Sequence, residues 1–336
     1  MPDRNQGFVS ADEVARRAGV SRSAVSRCFT PGASIAPKTR ARVMAAAEEL
    51  GYRVNDLARG LLARQSRLVG LVVSRPELGF RAHLVAELSR ALIRQGSIPL
   101  IIDTGDTKTD LAAACEIVIG HRASATIVLS GSPPPEVVAL ARLNGQPLVA
   151  IGRNEPEVDT VHIGNEAAAR TAARRFAASG ARRLGLVGSA SATPMIVERE
   201  AAFLAEAALL GLPLAWERGA DSDYAGGRQA AEALLAAADP PDALFCVNDL
   251  MAFGALDVAR RRGIDVPGAL QVIGFDDIPE AAWEAYRLTS FRQDPALMAE
   301  KALELLARRR AAPELAPMTL RLAADLVCRG TTRPLP

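Results

Sequence analysis

Arginine and serine side chains that could contact a nucleic acid are concentrated in one short segment near the start of the chain. Arg22 and Ser23 follow Ser21, and Arg27 comes about one helical turn later. A guanidinium can donate two parallel hydrogen bonds to the O6 and N7 atoms of guanine. Hydroxyl groups and the amides at helix starts suit phosphate oxygens, which position a helix without reading the base sequence. The residues expected to contact phosphates in this way are Ser21, Ser26 and Thr39.

The sequence carries no common motif of enzymatic chemistry. GxSxG, the P-loop pattern GxxxxGK[ST] and HExxH do not occur in it. Asp276 and Asp277 are a candidate carboxylate pair, but neighbouring residues in a loop need not face one substrate. The four cysteines and three histidines are scattered without a CxxC pair, so neither a zinc site nor a disulfide framework is indicated. We therefore predict a protein that is not an enzyme and uses no cofactor.

Charge is distributed unequally along the 336 residues, which are enough for at least two folding units. Residues 1–66 hold 11 basic and 6 acidic residues, whereas the remainder holds 29 basic and 32 acidic residues. A basic small domain beside a mildly acidic large one favours a polyanion as the partner of the first part only. A solvated basic face explains the charge equally well. We expect a cytoplasmic protein, because the sequence shows neither a signal-peptide pattern nor an apolar run of ~18 residues.

Helix start and stop signals surround the arginine segment. Ser10 begins a capping-box pattern, and Gly19 closes the helix that follows it. Ser21 can cap a second helix, and Pro37 suits the first position of a third, which ends at Gly51. Two short helices around a Gly-containing turn, with a third as a brace, form a helix-turn-helix, whose second helix enters the major groove. Spacing alone also fits a three-helix packing module whose arginines are only solvated.

Two segments narrow this choice, because VARRAGVSRSAVSR and APKTRARVMAAAEELGYRVNDLARGL resemble the headpiece of the LacI/GalR family of bacterial transcription regulators. Ala24 stands where that family usually has Thr, and Val54 where it usually has Pro. The resemblance implies double-stranded operator DNA as a partner. It also implies a hinge at residues 55–61 that becomes helical on the operator.

In this hinge, the resemblance assigns Leu61 to a wedge between base pairs in the minor groove, with Ala58 beside it and Asn55 at the start of the segment. Apolar wedges of this kind kink duplexes. Leu62 is an alternative wedge, and an ordinary linker residue is the simpler interpretation of Leu61.

From Leu68 onward, short apolar runs alternate with longer amphipathic segments, which predicts βαβ units and parallel sheets. The runs predicted to be strands are LVGLVV, IPLIID, ATIVLS, PLVAIG, RRLGLVG, DALFCV and LQVIGF. The pattern restarts midway, which indicates two lobes and a ligand cleft at the carboxyl ends of their strands. This half resembles the effector domain of the same family, which shares its fold with periplasmic sugar-binding proteins.

The predicted fold class is therefore an all-α helix-turn-helix headpiece followed by an α/β, two-lobed, periplasmic-binding-protein-like domain with two doubly wound parallel sheets. We place the headpiece at residues 1–54, the hinge at 55–66 and the effector-binding and dimerisation domain at 67–336. Within the last, the N-terminal lobe covers about 67–163 plus 293–325. The C-terminal lobe covers about 164–292 plus the C-terminal residues.

Four polar residues carry over by position from the family's effector site. Arg199 and Asp276 supply a cation and a carboxylate, and Asn248 and Gln293 supply two amides, a set that suits a polyhydroxylated ligand. Each has a structural alternative. Asp276 and Asn248 could cap the helices that follow them, and Arg199 could form an ordinary surface ion pair.

Two glycines depart from the family pattern on the cleft side. Many members have Asp at the positions of Gly152 and Gly164, so two carboxylates are missing here. The effector is expected to be a sugar or a sugar derivative, and a phosphorylated or acidic ligand stays open.

We expect a repressor that binds a palindromic operator as a homodimer and does not act at a membrane, since two-fold symmetry presents two recognition helices to one site. The alternative is a ligand-controlled activator or dual regulator with a non-sugar effector. A solute-binding protein or an enzyme with an incidental helical module is disfavoured by the missing signal peptide and motifs. The chain ends at TTRPLP without a leucine heptad, so no tetramerisation coil is predicted.

Overall fold

The computed structural model describes residues 8–30, 32–54, 66–105, 108–129, 133–152, 157–191 and 193–336. The chain forms two compact units, Met1–Ser66 and Arg67–Pro336. Within the described residues, no helix combines the length and the apolar character needed to cross a bilayer.

Three helices pack around a small apolar core in the first unit. They are α1 (Ala11–Ala18), α2 (Arg22–Cys28) and α3 (Pro37–Leu50). The predicted capping box is confirmed, because the Ser10 hydroxyl accepts a hydrogen bond from the Glu13 amide while the Glu13 carboxylate accepts one from Ser10. Gly19 ends α1 at φ +62°, which a side chain would disfavour. Val14, Val25 and Val43 are completely buried between the helices.

The second unit contains eight α-helices and twelve strands among its described residues. The α-helices are α4 (Phe80–Arg94), α5 (Lys108–Gly120), α6 (Pro135–Leu143), α7 (Asn165–Ala178), α8 (Pro194–Leu209), α9 (Tyr224–Ala236), α10 (Asp249–Arg261) and α11 (Pro295–Ala311). The strands are β1 (Leu68–Val73), β2 (Ile98–Asp103), β3 (Ala125–Val128), β4 (Leu148–Ile151), β5 (Asp159–Ile163), β6 (Leu184–Ser189), β7 (Leu214–Gly219), β8 (Ala243–Cys246), β9 (Gln271–Asp276), β10 (Thr289–Arg292), β11 (Thr319–Leu322) and β12 (Asp325–Val327).

These strands form two six-stranded sheets, each the centre of one lobe. The first lobe has the order β11-β5-β4-β3-β1-β2, and the second has β12-β10-β9-β8-β6-β7. All neighbours are parallel except β10 and β12, which are antiparallel. The predicted fold class, with two parallel-dominated sheets, is confirmed. The chain passes between the lobes after β5, after β10 and after β11, so loops from both sheets meet at the strand ends.

Six elements have no counterpart among the runs predicted from the sequence: β5, β7, β10, β11, β12 and α11. The first of these, DTVHI, mixes polar with apolar residues although it is buried. Its Asp159 is fully buried because Arg308 and Arg309 of α11 hold its carboxylate at 3.1 and 2.8 Å. The partners lie about 150 positions away along the chain, so a local pattern could not reveal a strand that depends on them.

Candidate functional site

The second helix of the first unit presents one polar face. The Ser21 hydroxyl caps α2 by accepting a hydrogen bond from the Ala24 amide at 3.3 Å. Val25 and Cys28 are buried against the other two helices. The exposed residues on the opposite face are Arg22, Ser23, Ser26 and Arg27. Two guanidinium groups and two hydroxyl groups therefore face solvent from one capped helix.

Two other arginines of this unit stabilise the fold instead. The Arg40 guanidinium donates to the carbonyl oxygen of Cys28 at 2.7 Å. Arg42 donates to the carbonyl oxygen of Gly19 at 3.0 Å, where α1 ends. The raw charge count of the segment therefore overstates the charge available to a partner, and the arginines of α2 matter most.

Arg22 is weakly restrained. Its Nη1 lies 3.9 Å from a carboxylate oxygen of Asp12, and both side chains are well exposed, so this pair contributes little. Thr39 lies in the first turn of α3 and is partly exposed, as a phosphate contact requires. The hinge residues Asn55, Ala58 and Leu61 lie outside the described residues, so their roles stay predictions.

Arg199 is the fixed cation at the strand ends of the second lobe. It is only 3% exposed, so the alternative of an ordinary surface pair is wrong. Its Nε donates to Asn165 Oδ1 at 2.9 Å, and its Nη1 donates to the carbonyl oxygen of Val247 at 2.6 Å. The guanidinium carbon lies 3.4 Å from the centroid of the Phe275 ring. Burial lowers the pKa of Arg199 to about 10, although the negative charge of Asp276 acts to raise it. The guanidinium therefore stays positive at neutral pH.

Asp276 ends β9 close to this cation. Its Oδ1 accepts a hydrogen bond from Gln293 Nε2 at 2.6 Å and lies 3.8 Å from Arg199 Nη1. Burial raises the pKa of Asp276, and the charge of Arg199 opposes that shift. The capping alternative is wrong for Asp276, because the short helix Pro279–Ala282 that follows has no side-chain cap. The structure thus brings Arg199, Asp276 and Gln293 together.

Asn248 begins the neighbouring helix α10, and here the capping alternative is confirmed. Its Oδ1 accepts a hydrogen bond from the Met251 amide at 2.9 Å. Its Nδ2 donates to the carbonyl oxygen of Ser222 at 2.8 Å. The Asn248 side chain therefore fixes two loops at the strand ends, and contact with an effector remains a prediction.

Asp249 is a completely buried carboxylate behind the site. Its two oxygens accept hydrogen bonds from Ser290 Oγ at 2.5 Å and from the Ile278 amide at 2.9 Å. Burial, with the nearby charge of Asp276, raises the pKa of Asp249. The folded protein therefore binds this proton more tightly than the unfolded chain does.

The pH dependence of stability follows from that raised pKa. As the pH rises from the unfolded value of about 4 through the folded pKa, this carboxyl group makes the folded state progressively less stable. We expect Asp249→Asn to lose less unfolding free energy than the wild type between pH 5 and pH 8. The difference should be about 1 kcal/mol or more, since a tenfold change in proton affinity corresponds to about 1.4 kcal/mol. Urea unfolding measures it, with the exposed Asp239→Asn as control, and parallel pH curves would contradict it.

Sequence reasoning missed an ion pair that joins the two lobes. Arg75 follows β1, and Asp221 follows β7. The Arg75 Nη1 and Nη2 atoms lie 2.5 and 3.0 Å from the two carboxylate oxygens of Asp221, a bidentate arrangement. The Arg75 amide also donates to Asp103 Oδ1 at 3.0 Å, which holds this loop in place. An arginine two residues after a predicted strand was the available signal, but its partner follows a strand that the sequence did not reveal.

The surroundings of Gly152 give a physical reason why this position, Asp in many members of the family, has no side chain here. Gly152 has φ +108°, and a Cβ atom there would lie 2.5 Å from the sulfur of Met195 in the other lobe. We expect Gly152→Asp to lower the unfolding free energy by about 1–3 kcal/mol through backbone strain and overlap. Thermal unfolding measures this loss, and adding Met195→Ala should recover the steric part. A Gly152→Asp protein as stable as the wild type would show that the lobes do not approach this closely.

A chain of hydrogen bonds ties Arg199 to the first lobe. His162 of β5 lies 3.2 Å from a carboxylate oxygen of Glu198, and Asn165 Nδ2 donates to the same oxygen at 2.8 Å. Asn165 in turn accepts the Arg199 hydrogen bond. The orientation of Arg199 therefore depends on residues from both lobes.

Comparisons with known proteins agree with this architecture. The family described as "Bacterial regulatory proteins, lacI family" matches residues 11–55, and "Periplasmic binding protein-like domain" matches residues 173–332. The HTH-type transcriptional repressor CytR of Escherichia coli (strain K12) is 28% identical over 331 residues, 96% of each chain. The HTH-type transcriptional regulator GalS of Salmonella typhimurium is 32% identical over 304 residues, 89% of each chain.

A solved structure extends the likeness to the whole fold. The lac repressor dimer bound to operator and the anti-inducer ONPF superimposes with a TM-score of 0.88. That match covers 97% of this chain and 99% of the other at 23% identity, so it shows a shared fold and nothing further. With GalS 32% identical over 89% of both chains, and with a matching family model in each unit, the protein belongs to the LacI/GalR family of transcription regulators.

Proposed function

We propose that this protein represses transcription by binding a palindromic operator as a dimer, under the control of a small molecule in the cleft between its lobes. The observation that carries the proposal is the capped helix α2, whose exposed face holds Arg22, Ser23, Ser26 and Arg27. In helix-turn-helix proteins such a helix places its first residues against base edges in the major groove. Repression rather than activation is supported by the similarity to the repressor CytR.

Each segment has a proposed task. Residues 1–54 form the DNA-binding headpiece, 55–66 the hinge and 67–336 the effector-binding and dimerisation domain. In the headpiece, Arg22, Ser23 and Arg27 face bases, while the residues proposed to face phosphates are Ser21, Ser26 and Thr39. The hinge residues proposed to enter the minor groove region are Asn55, Ala58 and Leu61, with Leu61 as the wedge.

The effector site uses the polar groups at the strand ends of the second lobe. Arg199 offers hydrogen-bond donors, and the Asp276 carboxylate offers acceptors. The Gln293 side-chain amide lies beside them, with its Nε2 donating to Asp276 Oδ1 at 2.6 Å. Asn248 lies beside them at the start of α10. Such a set suits a ligand with several hydroxyl groups, so we propose a sugar or a sugar derivative.

Dimerisation is supported by an exposed apolar edge of the first lobe. Strand β2 lies at the end of its sheet, where Ile98 and Ile101 are 39% and 46% exposed. Edge strands with unpaired backbone groups and apolar side chains favour pairing with a second chain. A dimer also raises the effective concentration of the second headpiece once the first is bound.

A ligand that changes the lobe arrangement then alters operator affinity, with couplings typically of about 1–3 kcal/mol. All of this takes place in the cytoplasm, where the operator is.

One experiment tests the proposal directly. The full-length protein is used to select duplexes from a random pool at low salt, and the selected sequences are measured against scrambled competitors. We expect inverted repeats bound at about 10⁻⁸–10⁻¹¹ M, with affinity falling steeply as salt rises. Equal affinity for inverted repeats and scrambled duplexes would overturn the proposal. Deleting the gene should raise transcription of the genes beside the selected operator, and a decrease would overturn the assignment as a repressor.

A further inference from the structure

Two arginines of the first lobe lie close together at the cleft, one after β1 and one at the start of α4. Arg75 follows β1, and Arg81 lies in the first turn of α4. The Arg81 Nη1 donates to the carbonyl oxygen of Ser74 at 2.7 Å and to its hydroxyl at 3.0 Å. Because Ser74 directly precedes Arg75, both guanidinium groups lie on the same side of the cleft, opposite the second lobe that supplies Asp221.

The two cations differ in what they bind. Arg75 is paired with Asp221 across the cleft. Within the described part of the chain, the hydrogen bonds of Arg81 use Nη1 alone, which leaves Nε and Nη2 for another acceptor. Burial and the neighbouring charge of Arg75 lower the pKa of Arg81, yet a guanidinium stays charged in proteins. Arg81 is therefore a half-buried cation with unused donors, which an anion would stabilise.

Two carboxylates of the first lobe lie near these arginines, those of Glu77, whose charge acts on Arg81, and of Asp103. At Gly152 the space for a carboxylate is taken by Met195. Asp103 uses its Oδ1 to accept hydrogen bonds from the amides of Arg75 and Gly105, both at 3.0 Å. The cleft thus combines two cations of the first lobe and one of the second with two carboxylates of the second lobe and the Glu77 carboxylate of the first. The residues in that set are Arg75, Arg81, Arg199, Asp221, Asp276 and Glu77.

We propose that the effector carries an oxyanion, a carboxylate or a phosphoryl group, which Arg81 and Arg75 bind in exchange for the Asp221 carboxylate. This inference rests on the proposed function, since it names the ligand class of the same cleft. The planar fork of arginine matches the two oxygens of either anion. A neutral ligand that separated Arg75 from Asp221 would break this bidentate ion pair without supplying another negative charge to Arg75. An anionic ligand replaces the lost partner, so its binding exchanges one ion pair for another while the lobes rearrange.

The test uses inorganic phosphate and acetate as probes on the full-length protein. Thermal unfolding is followed during titration at constant ionic strength in wild type and three variants. We expect saturable stabilisation of the wild type by at least one probe, and which probe does so distinguishes a phosphoryl from a carboxylate site. Arg81→Met should weaken that apparent affinity by about 10- to 100-fold, the usual effect of losing a hydrogen bond to a charged group. Asp221→Asn should strengthen it, because it removes the competing carboxylate.

The control is Arg90→Met on the same helix, an exposed arginine that pairs with Glu87 and should titrate like the wild type. Equal stabilisation of the wild type and Arg81→Met by both probes would overturn the inference, as would weaker anion binding by Asp221→Asn. The operator selection described above is independent of these titrations. If the wild type selects an inverted repeat but neither anion stabilises it, only the proposed ligand class is overturned. If the wild type binds anions through Arg81 but selects no operator, only the proposed function is overturned.

Discussion

Arg22→Ala should remove most of the operator preference of the full-length protein. Arg22 is exposed at the start of α2, and its contact with Asp12 at 3.9 Å is too weak to hold it. A bidentate arginine–guanine contact is worth about 1–3 kcal/mol of discrimination, and a dimer has two such contacts. Operator affinity should therefore fall roughly 30- to 20,000-fold. Fluorescence anisotropy with the selected operator and with a random duplex measures both affinities.

The matched control is Arg53→Ala, which removes an exposed positive charge outside α2. A charge that contacts only phosphates weakens binding to all duplexes alike and reduces the salt slope by about one. Arg53→Ala should therefore affect operator and random duplex equally. If Arg22→Ala behaved in the same way, its guanidinium would not read bases and α2 would have only an electrostatic role.

Arg199→Met should uncouple effector binding from DNA binding. The substitution retains a long side chain that can pack on Phe275 but removes the donors to Asn165 and to the Val247 carbonyl. Losing a charged hydrogen-bonding group should weaken effector affinity about 10- to 150-fold. The two buried acceptors left without a donor should also lower the unfolding free energy by about 1–3 kcal/mol each. Operator binding without effector should be unchanged below the new unfolding temperature.

Effector release is measured by titrating the protein–operator complex with the best ligand of a thermal-shift screen. Arg174→Met serves as the control. Arg174 lies near the C-terminal end of α7 and pairs with Glu206 of α8 at 2.7 Å, so this substitution should not alter the response. Arg199→Lys separates charge from geometry, since it keeps a cation but loses the fork. If Arg199→Met retained the wild-type response, the ligand would not depend on this guanidinium and the cleft assignment would be wrong.

The local signals of the headpiece were sufficient because its helices begin and end through neighbours in sequence. The Ser10 capping box, the Ser21 cap and Gly19 at φ +62° act within a few residues of where they stand. The buried strands β1 and β3 were likewise visible as short apolar runs, because parallel strands covered on both faces require them. The four cleft positions carried over from a family resemblance rather than from any local rule.

The sequence by itself determined the three headpiece helices, the alternating α/β pattern and the exposed polar face of α2, because these follow from contacts between residues near one another in the chain. Only the tertiary structure decided that Arg199 is buried, that Asn248 caps a helix and that Arg75 meets Asp221 across the cleft. Arg75 and Asp221 are 146 positions apart. A pair so far apart in the sequence forms only when the two sheets bring their strand ends together. It therefore cannot be predicted from the spacing of residues along the chain.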